Sequence, residues 1–110
     1  MRDVELDAST IGGISEMAVE LRMPFMLQLM KRYRNGVLEV DESDLPMLVD
    51  YLDALSLHLK NKYPNFDDGE FGYNEHDEEM YFDSMEIYSN PLKESIAAKF
   101  GNDFLCRFRC

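Results

Sequence analysis

"DESDLPMLVDYLDALSLHLKNK", residues 41–62, carries the clearest helical period in the chain. Leu45, Leu48, Val49, Leu52, Leu55 and Leu59 recur at three- and four-residue spacings, which gathers them on one face of a helix. Asp44 stands where a cap belongs, and Pro46 is tolerated in a first turn. A second stripe, Met47, Tyr51, Ala54 and His58, follows at i, i+4, i+7 and i+11. Patterned faces of this kind are usually core, so the helix is expected to be buried on two sides. The functional alternative is that the second stripe docks on a partner.

The chain on either side of this helix supplies shorter elements. Toward the N-terminus, Gly12-Gly13 reads as a turn, and Ser15 as the cap of a helix over 16–23. Ile14, Met17, Ala18 and Leu21 share a face there. Pro24 opens a second helical segment, 24–34, which Asn35-Gly36 closes. Residues 3–7 and 37–40 are candidate short strands. Beyond residue 62, Pro64, Asp67-Asp68-Gly69 and Gly72 mark a loop. Helices are expected over 75–88 and over 91–100, the latter with Leu92, Ile96 and Phe100 inward and Gly101 as its stop. The last nine residues, "NDFLCRFRC", alternate, with Phe104, Cys106 and Phe108 facing one way, as in a half-buried strand. Its partner would be 37–40 or 3–7. The expected fold is α+β and mostly helical: four to five helices around a small antiparallel ribbon that includes the C-terminal strand.

Composition sets the class. A chain of 110 residues, 45% hydrophobic and 30% charged, suits a single globular domain, 1–110, with one ordinary core. No apolar run approaches a membrane span. The first ten residues, "MRDVELDAST", are acidic and lack the apolar core of a secretory signal, so the expected compartment is the cytoplasm. Cys106 and Cys110 are four apart. On one strand they would lie roughly 13 Å from each other, beyond disulfide reach.

Charge is the most informative property. The net charge is −11, and it is unevenly placed. Residues 1–38 hold five acids and five bases, whereas residues 39–94 hold sixteen acids and three bases. The stretch 65–90, "NFDDGEFGYNEHDEEMYFDSMEIYSN", has nine carboxylates, six aromatics and no Lys or Arg. Such a field opposes direct binding to nucleic acid or an anionic membrane and attracts a basic partner; the equal alternative is a solvated face that serves solubility alone.

The acidic stretch fits neither a metal loop nor a catalytic pair. In an EF-hand register, Gly69 at position 6 puts Pro64 and Phe66 where ligands belong, and Gly72 there puts Gly69 and Phe71 in ligand positions. His76 has no second histidine at helical spacing, since His58 is the only other one. No metal and no cofactor are therefore expected. A general acid and base need carboxylates in unlike environments. Here Glu75, Glu79, Asp83 and Glu86 fall together on one helical face, opposite Met80, Tyr81, Ser84, Met85, Ile87 and Tyr88.

In size and charge the chain is similar to nuclease-immunity proteins, antitoxins and phage anti-defence proteins. No motif carries the likeness further. The leading expectation is a small acidic protein, not an enzyme, that binds and blocks a basic, nucleic-acid-handling protein by mimicking nucleic-acid charge. Glu75, Glu79, Asp83 and Glu86 would supply the charge, with Asp67, Asp68 and Glu70 on the preceding loop and Tyr73 and Tyr81 as anchors. The alternative is a non-catalytic subunit docked through Met47, Tyr51, Ala54 and His58. A small carboxylate-dependent enzyme is the third reading.

Overall fold

The computed structural model describes residues 2–63 and 75–101. The fold is α+β and mostly helical, with five helices and a two-stranded antiparallel ribbon among the described residues. In chain order these are β1 (Arg2–Glu5), α1 (Ala8–Glu20), α2 (Pro24–Met30), β2 (Val37–Val40), α3 (Leu45–Lys62), α4 (Glu75–Tyr88) and α5 (Asn90–Phe100). One 3-10 turn, Glu42–Asp44, leads into α3.

The two candidate strands pair with each other, Arg2 opposite Val40 and Val4 opposite Leu38. Alternation along both strands turns Val4, Leu38 and Val40 into the core. The expected C-terminal strand, with Phe104, Cys106, Phe108 and Cys110, lies outside the described residues. A tight turn feeds β2. Arg34 and Val37 exchange both backbone hydrogen bonds, 2.8 and 3.0 Å, across Asn35 (φ 53°) and Gly36 (φ 82°). Two successive positive φ values at Asn-Gly are the signature of a type I′ turn. Asn35-Gly36 thus reverses the chain rather than closing α2. Helix α2 itself ends earlier than expected, at Met30.

All six residues of the leading stripe on α3 are buried. Asp44 stands at the N-cap of α3, as expected, but makes no side-chain cap bond there. The side-chain cap lies one turn earlier: Asp41 caps the 3-10 turn, and its carboxylate accepts from the Ser43 hydroxyl and backbone N–H. These bonds, the hydroxyl's above all, hold the Asp41 carboxyl below its ordinary pKa. Asp44 completes the box by accepting from the Asp41 N–H at 2.9 Å and from Arg32 Nη1 at 2.7 Å. The buried Asp44 carboxylate therefore has two donors and fastens the start of α3 to the turn after α2.

Helix α1 begins at Ala8, so Gly12-Gly13 lies inside it and is not a turn. Gly13 has a packing reason. A Cβ built there would come 3.3 Å from the Tyr88 ring and 3.7 Å from Ile87. The missing side chain lets the end of α4 press against α1.

A candidate partner-binding face on α4

Helix α4 lies against α1, α3 and α5 through Tyr81, Met85 and Tyr88. Tyr81 is only 7% exposed, so it is core and cannot anchor a partner as expected. Its ring instead meets Phe82 edge-on, with centroids 5.3 Å apart and planes at 88°. Ile87 departs from expectation in the other direction: it is 52% exposed, although helical spacing puts it with the apolar set. At about 100° per residue, Ile87 sits at the margin of that set, where α1 approaches it at Gly13 but leaves about half of it exposed.

Glu75, Glu79, Asp83 and Glu86 are all exposed on the outward side of α4. Among the described residues none of the four makes an ion pair. The helix contains six carboxylates and no Lys or Arg to offset them. Like charges one turn apart weaken a helix by about 0.2–0.5 kcal/mol per pair, so the row costs stability.

Sequence reasoning missed Phe82. It is 53% exposed and stands beside the carboxylate row, one turn after Glu79 and one turn before Glu86. Ile87 flanks the row on its other side, one turn after Asp83. The row thus has an apolar residue along each margin. Helical spacing contained this signal, because about −20° separates Phe82 from Glu75 and puts it on the acidic side. The apolar residues on the opposite side form the longer and more regular pattern, and they mask a single aromatic among carboxylates. The other expected contacts, Asp67, Asp68, Glu70 and Tyr73, lie outside the described residues.

The second candidate surface loses its central residue to the core, in keeping with the expectation that α3 is buried on two sides. Tyr51 is fully buried, and its hydroxyl donates to the Tyr88 carbonyl at 2.9 Å. Burial, with a smaller contribution from the neighbouring Tyr88 phenol, pushes the Tyr51 pKa well above its ordinary value near 10. Met47, Ala54 and His58 are half-buried. His58 Nε2 lies 3.5 Å from Glu20 Oε2, within reach for charge attraction, but makes no hydrogen bond among the described residues. Tyr51 ties the last turn of the acidic helix to α3.

Among the described residues, no three His, Cys, Asp or Glu side chains converge as metal ligands. Among the same residues, no helix is long and apolar enough to cross a membrane. No family model matches the chain, and no curated protein or solved structure is significantly similar to it.

Proposed function

We propose that this protein is a small acidic inhibitor that acts in the cytoplasm by binding and blocking a basic, nucleic-acid-handling protein. The supporting observation is the outward face of α4. Glu75, Glu79, Asp83 and Glu86 are exposed together on a helix that three other elements hold from behind. A rigid helix presents such a row without the entropy cost of ordering a loop on binding. The row's mutual repulsion is a cost that a solvated face normally avoids by mixing signs. A partner's Arg and Lys side chains would offset it with charge-assisted hydrogen bonds, and Phe82 would add desolvated contact area beside them. The carboxylates would occupy the channel that receives phosphates and so exclude nucleic acid.

Two measurements test this reading. Proteins captured by the immobilised chain from the cells that make it should include one whose nucleic-acid binding or cleavage the free chain abolishes. That binding should weaken steeply as salt rises, because its charge-led part is screened. Capture that is indifferent to salt, or that leaves nucleic-acid handling intact, would contradict it.

A further inference from the structure

The turn that feeds β2 places a reactive pair of residues at the surface. Asn35-Gly36 is the only asparagine–glycine pair in the chain; the other five asparagines precede Lys62, Phe66, Glu75, Pro91 and Asp103. Attack by the following backbone nitrogen on an asparagine side-chain amide is fastest before glycine, where no Cβ hinders ring closure or restricts the backbone. Both residues are exposed, and a Cβ built at Gly36 would meet nothing within 4 Å. Among the described residues the Gly36 N–H donates no hydrogen bond, so the nitrogen is unengaged. Lys31, Arg34, Asp3 and Glu39 line one surface groove with Asn35, so proton donors and acceptors stand beside it.

The turn also restrains the reaction. Ring closure requires rotation about the Asn35 Cα–C bond, away from the conformation that two successive positive φ values and the paired Arg34–Val37 bonds impose. The step therefore proceeds from the opened turn, a local fluctuation at the surface rather than global unfolding. We propose that Asn35 is a self-modifying site whose conversion limits the lifetime of the β1–β2 ribbon. In the opened turn the Gly36 nitrogen attacks Asn35 Cγ. The new C–N bond closes a five-membered imide, and ammonia leaves with the nitrogen's proton. Water then adds at either imide carbonyl. Cleavage of the new bond leaves aspartate in a normal main chain, and aspartate suits this turn as asparagine does. Cleavage of the original peptide bond leaves an isoaspartyl linkage, with the chain running through Cβ and Cγ and one backbone atom longer. That extra atom sits inside a two-residue turn closed by bonds of 2.8 and 3.0 Å, and it breaks the closure. The Gly36 carbonyl, which accepts from the Leu6 N–H at 3.1 Å, moves with it. Strand β2, which carries Leu38 and Val40 into the core, then loses its fixed start.

The test ages the full chain in mildly alkaline buffer and follows every asparagine by peptide mass mapping. The expected result is a gain of one mass unit at residue 35 before any other asparagine, with aspartyl and isoaspartyl products separated by chromatography. The isoaspartyl chain should melt at least about 4 °C below the native chain, the scale of shift that lost turn hydrogen bonds give in a chain of this size. Asn35→Asp, which is the other product, should melt with the native chain. Asn35→Gly keeps a pair that suits the turn and should age with no fall in melting temperature. Denaturant should speed conversion at residue 35, because it opens the turn. No conversion there, or conversion no faster than at the other asparagines, would overturn the site. An isoaspartyl chain that melts with the native chain would overturn its effect on the ribbon, and equal rates in folded and denatured chain would overturn the restraint by the turn.

Discussion

Gly12 and Gly13 are adjacent in sequence and in one helix, yet the structure gives them different work. A Cβ at Gly12 would meet nothing within 4 Å, whereas one at Gly13 would press on the Tyr88 ring at 3.3 Å. Replacing a helical glycine by alanine gains about 0.5–1 kcal/mol when there is room. Gly12→Ala should therefore raise the melting temperature. Gly13→Ala should melt below Gly12→Ala, because the Tyr88 ring must shift by a few tenths of an ångström and carries the end of α4 with it. Thermal unfolding of both variants checks this, and equal stabilisation would deny that Gly13 seats α4. The sequence misled at this pair. Gly-Gly is a turn signal on its own, and only the approach of Tyr88, far along the chain, explains why a helix runs through it. Phe82 teaches the complementary lesson. Its place on the acidic side was legible from helical spacing, while its exposure depends on what α4 packs against.

Helix α3 was legible because its period is strong and long, and all of Leu45, Leu48, Val49, Leu52, Leu55 and Leu59 are buried. Its second stripe was legible too: burial on two sides was the leading expectation, and Tyr51 is fully buried. What the spacing could not show is its partner, since the Tyr51 hydroxyl donates to the Tyr88 carbonyl at the end of α4 and acts as a strut. Tyr51→Phe leaves that carbonyl without this donor and should cost about 1–2 kcal/mol at neutral pH. The pH dependence follows from the raised pKa. A phenol that resists ionisation in the fold contributes stability that is complete below its unfolded value near 10 and is lost as the pH rises beyond it. The native chain should then lose stability from about pH 10 upward through this group, and the phenylalanine variant should not. The gap between the two should narrow with rising pH. Denaturant titrations at neutral and strongly alkaline pH measure it, and a gap that stays constant would show that the Tyr51 hydroxyl is no strut.

At the scale of the whole molecule, charge and core are segregated. Residues 1–38 are neutral overall and build the first strand and two helices, while the acidic excess concentrates in the later part of the chain. The α4 helix carries that excess on one side and core contacts on the other. The mostly helical α+β class was readable from periods and turn residues. The strand pairing was not, because two four-residue strands separated by two helices have no local signal of register, and hydrophobic alternation alone allows several partners. The same segregation predicts that surface charge on α4 can be reversed without harm to the core. The most direct test is Glu79→Lys/Asp83→Lys. Both residues are exposed, so the variant should melt at the native temperature or slightly above it, since two members of a repulsive row become partners for Glu75 and Glu86. Its affinity for the captured partner at low salt should fall at least about a hundredfold, in keeping with about 1.5–3 kcal/mol for each charge-assisted hydrogen bond removed. A folded double variant that binds the partner as tightly as the native chain would show that the acidic face of α4 is only a solvated surface.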